Sequence, residues 1–176
     1  MTIDKLTPDI TANLKAYRGE RLPKSRWASF DYCFNYFQDA RDADVTAHLN
    51  DDDRRQLSCL QLGFYLASWG MMRGSGQLLQ NSLQGLVPVV KLIADEPPST
   101  WKLGVHSYRD HVSEVIDLRG RVWKAFDESH IPASHTLVTK TMLGVFGCVP
   151  ALDQFFFIGS GLRSPPKNSR PEERRV

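Results

Sequence analysis

Cysteine is scarce in this chain. Cys33, Cys59 and Cys148 are odd in number, widely spaced, and each set among apolar residues. That excludes a disulfide framework and reads as free, buried thiols in a reducing, cytoplasmic setting. An excess of one charge is missing too. The 22 Lys and Arg face 20 Asp and Glu, a formal net charge of +2, so no whole-protein nucleic-acid footprint exists. Long apolar runs are absent. The most apolar segment, Leu57 to Met72, contains Ser58, Gln61 and Ser68. It falls short of the roughly 20 residues a membrane span needs, so no membrane partner is expected. The opening residues are polar, with no secretory core. Walker A, GxGxxG after a strand, and GxSxG do not occur. His106 and His111, like His130 and His135, are five apart rather than four, without a Cys-x-x-Cys, so no metal site is expected. The sequence does not say which cofactor, if any, the chain uses.

What remains is helical. A hydrophobic fraction of 41% supports a real core at this length. Thr7-Pro8 reads as a helix start and Gly19 as its end. Trp27, Phe30, Phe34 and Phe37 recur at three and four and make one aromatic face. "DADVTAHLNDDD" reads as an acidic loop before a helix from about Asp53 to Met72, apolar on nearly all sides and therefore central. A short helix is expected from Ser75, and another around Pro88. A long one is expected from Ser107 to Glu128, burying Val112, Val115, Ile116, Val122, Trp123 and Phe126. Ser134 caps a helix that ends at Gly144 or Gly147, and Pro150 opens the last. The expectation is an all-α domain over residues 1–162, a single bundle of about six or seven helices. A disordered basic tail over 163–176 holds Arg163, Lys167, Arg170, Arg174 and Arg175 against Glu172 and Glu173.

Three places put polar groups where apolar ones dominate. Arg73 ends the central helix and is followed by Gly74-Ser75-Gly76. The glycines let backbone N–H groups approach a ligand, and Ser75 would start the next helix, so the turn reads as an anion site. Lys140 lies amid Leu137, Val138, Met142 and Leu143, and Asp153 follows the break at Gly147 and Pro150. Lys140 and Asp153 are the candidate catalytic pair, with Asp153 available as acid or base. Asp31 and Asn35 share one face of the aromatic helix, where polar groups between rings can line a pocket.

Arg41 and His48 in "RDADVTAH" resemble the R-x4-6-H motif of the HEPN ribonucleases, small helical domains. The resemblance implies an arginine and a histidine acting on RNA phosphodiester bonds across a dimer interface. "LGVFGCVP" resembles the glycine-containing turn of helix-hairpin-helix DNA-binding proteins, except that apolar residues flank it. Three functions are therefore in view. The first is binding of a small anionic or nucleotide-like ligand in a polar pocket within an apolar core, with possible catalysis. The second is a helical interaction protein, a homo-oligomer or a subunit of a larger assembly. The third is an HEPN-like ribonuclease using Arg41 and His48.

Overall fold

A computed structural model describes residues 3–20, 24–74, 76–104, 106 and 108–162. The described residues form α1 (Ile3–Glu20), α2 (Ala28–Asp42), α3 (Arg55–Ser68), α4 (Val87–Asp95), α5 (Val112–Glu128), α6 (His135–Phe146) and α7 (Gln154–Ser160), with several 3₁₀ turns between them and no strand. The all-α expectation holds. The expected tail and the expected helix start at Ser107 lie outside the described residues.

The core forms where α2, α3, α4, α5 and α6 meet. Phe37, Leu62, Leu66, Ile93, Val122, Phe126 and Met142 are fully buried there. Each such side chain contributes about 1.5–3 kcal/mol relative to exposure. Two helix starts follow the sequence closely. Ser134 Oγ accepts from Leu137 N at 3.1 Å, as a cap should. Pro88 occupies the first turn of α4, where its missing N–H costs nothing.

Other boundaries differ, each for a local reason. α1 starts at Ile3, upstream of Thr7-Pro8, so Pro8 interrupts one hydrogen bond instead of opening the helix. The acidic loop contains a 3₁₀ turn, Thr46–Asn50, that buries Leu49 against α4. The segment after Gly76 makes 3₁₀ turns at Gln77–Gln80 and Leu83–Leu86 rather than a helix. α5 begins at Val112, and Val112 and Ile116 are 53% and 51% exposed, while Val115 packs against the core and Leu118, Val122, Trp123 and Phe126 are buried in it. α7 begins after Asp153, not at Pro150.

The largest correction concerns α3. It ends at Ser68, not Met72. Gly70 takes φ +83, with Gly70 N donating to Ala67 O at 2.9 Å and Met71 N to Leu66 O at 2.8 Å. That pair of bonds, around a left-handed glycine, is the Schellman ending. Nor is α3 apolar on every side towards the core. Leu57, Leu60 and Phe64 are 46%, 45% and 63% exposed, while Leu62, Tyr65 and Leu66 are buried. No helix among the described residues is long and apolar enough to cross a membrane.

Candidate functional site

Lys140 lies in the middle of α6 and is 6% exposed. A buried ammonium needs acceptors, because an unpaired charge in an apolar interior is prohibitively costly. Two are supplied. Lys140 Nζ donates to Trp69 O, the carbonyl at the end of α3, at 2.8 Å. Asp153 Oδ2 lies 3.5 Å away. Burial holds the lysine below its ordinary value, and Asp153 opposes that shift. Arg73 and Arg26 are near enough to lower it further by repulsion.

Asp153 is placed by its neighbours. Thr136 Oγ1 donates to Leu152 O at 2.9 Å, and Leu152 N donates to Thr139 Oγ1 at 2.9 Å. These two α6 threonines grip the residue before Asp153 from both sides. Asp153 then divides its oxygens. Oδ1 accepts from Phe155 N and Phe156 N, each at 3.1 Å, and caps α7. Oδ2 faces Lys140. On the other side, Tyr65 OH donates to Lys140 O at 3.0 Å, and a Cβ at Gly144 would run into the Tyr65 ring. Only glycine lets α3 and α6 approach this closely.

Trp69 joins the site to an aromatic wall. Its ring lies 5.3 Å from Trp27, 5.6 Å from Tyr65 and 6.2 Å from Phe30. Arg26 Cζ sits 4.1 Å from the centre of the Trp27 ring. Trp69 Nε1 is buried and has no hydrogen-bond partner among the described residues. A buried indole N–H without an acceptor calls for an explanation.

The expected residues separate as follows. Lys140 and Asp153 meet. Arg73 is exposed in the turn after α3, not set in the core, because α3 ends at Ser68 and the left-handed Gly70 turns the chain away. Its guanidinium folds back over Gly70, where a Cβ would lie 3.0 Å from Nε and Cζ. Asp153 pairs with Lys140 rather than with Arg73, and Arg73 has no carboxylate partner among the described residues. Gly74 is exposed at φ +60. Ser75 lies outside the described residues. Asp31 is half-buried and Asn35 exposed. Sequence reading missed Trp69 and Arg26. Nothing in "RWASF" shows that its tryptophan lies beside a residue 42 positions later, or that its arginine covers that tryptophan.

Arg41 and His48 occupy different settings. Arg41 donates to Asp42 Oδ1 and lines an open cleft of about 700 Å³. His48 does not line that cleft, and its Nδ1 lies 3.0 Å from Asp51 Oδ2. No family model matches the chain, and no curated protein or solved structure does either.

Proposed function

We propose that the chain binds a small anionic, nucleotide-like ligand where α3, α6 and the start of α7 meet. The observation that carries this reading is the imbalance of donors around Lys140 and the end of α3 that it holds. Lys140, Arg73 and Arg26 supply three positive charges, and the indole Nε1–H is a further donor. The facing carboxylate is Asp153, and one of its oxygens is already committed to α7. A structural ion pair needs one lysine and one aspartate. The two exposed arginines and the orphaned N–H are surplus to it, and a phosphate or carboxylate group is the kind of acceptor they lack. Trp27 and Trp69 offer the faces against which a flat ring can stack. The three buried, unpaired thiols favour a reducing, cytoplasmic setting. Asp153 is the available proton acceptor beside the proposed anion, which keeps catalysis within this reading.

The test uses the full chain and two probes, inorganic phosphate and AMP. The Trp69 indole N–H resonance, assigned with Trp69→Phe, is followed during titration. It should shift with both probes and more strongly with AMP. Arg73→Gln and Arg26→Gln should each weaken binding roughly tenfold, the loss of one charged hydrogen bond, with unchanged melting temperature. A resonance that stays fixed with both probes refutes the reading.

A second reading has its own observation. Leu57, Leu60 and Phe64 form an exposed stripe at i, i+3 and i+7 on α3, the mark of an interaction surface. Sedimentation of the wild type against Leu60→Glu tests it: a larger species that the substitution dissolves supports an oligomer, and a monomer in both denies it.

A further inference from the structure

We propose that the cleft between the end of α2, the loop after α4 and the end of α6 is a second ligand site, for a small zwitterion of the amino-acid class with an aromatic side group. Its volume of about 700 Å³ is that of a small-molecule site. Its floor is aromatic. Phe34 comes from α2, Phe146 from the last turn of α6, and Trp101 from the 3₁₀ turn Thr100–Lys102. Trp101 and Phe146 meet edge to face at 4.8 Å. A Cβ at Gly147 would lie 2.8 Å from the Phe34 ring, so a glycine there lets the floor form.

The charged groups of the cleft sort into those already engaged and those left over. Glu96 lines it, but its side chain is 2% exposed, and Arg121 takes both oxygens at 2.7 Å. Arg41 donates from Nε and Nη2 to Asp42 Oδ1, at 2.8 and 2.5 Å. Lys102 and Asp44 remain. Both are exposed, both line the cleft, and neither has an ion-pair partner among the described residues. They stand on different walls, Asp44 just after α2 and Lys102 in the 3₁₀ turn. Asp44 is held at φ 55, in the left-handed region, with its N–H on Arg41 O, so its position is fixed by the turn.

One unengaged charge of each sign above an apolar floor is complementary to a molecule with an ammonium, a carboxylate and an apolar body. A plain anion would face Asp44 without a partner for it, and a plain cation would face Lys102 in the same way. A neutral apolar molecule would strip water from both. Lys140, Asp153, Trp69 and Arg73 do not line this cleft, so the proposal stands apart from the anion site.

The experiment is calorimetric titration of the full chain with L-phenylalanine, 3-phenylpropionate, which lacks the ammonium, and phenethylamine, which lacks the carboxylate. L-Phenylalanine should bind, and each analogue should bind roughly tenfold more weakly or worse. Lys102→Met should abolish the advantage of L-phenylalanine over phenethylamine. Asp44→Asn, which keeps a side chain suited to the left-handed turn, should abolish its advantage over 3-phenylpropionate. Arg73→Gln should leave L-phenylalanine binding unchanged. Absence of L-phenylalanine binding overturns the proposal. So do equal affinities for the three probes, wild-type preference in both cleft variants, or loss of binding in Arg73→Gln.

Discussion

The ammonium of Lys140 is held by the backbone carbonyl of Trp69, 71 residues earlier in the chain, at 2.8 Å. The carbonyl belongs to the end of α3, where unpaired oxygens and the negative end of the helix dipole favour a cation. The lysine thereby ties the end of α3 to α6, and through Asp153 to α7.

Replacing it with an apolar side chain should be costly. Lys140→Met leaves Trp69 O and Asp153 without their cation, and we expect a loss of about 3 kcal/mol in urea unfolding. The pH dependence has a definite sign. The folded lysine is held below its ordinary value of 10.5, chiefly by burial. Between the folded and unfolded values the unfolded chain binds more protons, so the stability of the wild type rises with pH across that interval. Measured against Lys140→Met, the wild type should gain stability as pH is raised towards 10.5. A relative loss would mean that pairing with Asp153 outweighs burial.

Asp153 has separable tasks, and two substitutions separate them. Asp153→Asn keeps an oxygen to accept from Phe155 N and Phe156 N but removes the charge facing Lys140. Asp153→Ala removes both, and should cost about 1 kcal/mol more than Asn, the ordinary value of a helix cap. Chemical denaturation of the pair gives the difference. Equal stabilities would show that the capping bonds contribute nothing.

Gly70 and Gly74 make a matched comparison. Both have positive φ, +83 and +60. Alanine at either should cost about 1–2 kcal/mol of backbone strain. Only at Gly70 would the new Cβ press on the Arg73 guanidinium, since nothing lies within 4 Å of one at Gly74. Gly70→Ala should therefore weaken phosphate binding more than Gly74→Ala at similar stability. The reverse order would disconnect Arg73 from the anion.

The thiols should be inert while the chain is folded. Burial raises all three; Cys148 is pushed up to about 12, and at Cys59 the nearby Arg55 only partly offsets the rise. Since the thiolate is the reactive form, alkylation by iodoacetamide at mildly alkaline pH should be slow for Cys33, Cys59 and Cys148. It should become fast in urea. Rapid labelling of any one in the folded chain would contradict its burial.

The helical class was legible in the spacing of apolar residues, and Ser134, Pro88 and Gly147 announced their boundaries through chemistry that is strictly local. The meeting of Lys140 with Asp153 was also within reach, because charged residues in the most apolar segments must find partners. α3 was misread at its end because "WGMM" stays apolar across Gly70. Hydropathy carried the helix through a residue whose left-handed backbone stops it. Arg73 was misplaced for the same reason. The orphaned N–H of Trp69 and the second cleft depend on side chains brought together from segments far apart in the chain, and no periodicity encodes such a meeting.

Asp153 starts α7 with one oxygen and neutralises Lys140 with the other. If the proposed anion reaches Lys140, it competes with that second oxygen, and its binding is then thermodynamically linked to the seating of α7. The linkage is reciprocal. α7 carries Phe155 and Ile158, 71% and 75% exposed. Whatever covers those two side chains would hold α7 in place, keep Asp153 on Lys140, and lower the affinity for the anion by the same factor that the anion loosens the cover.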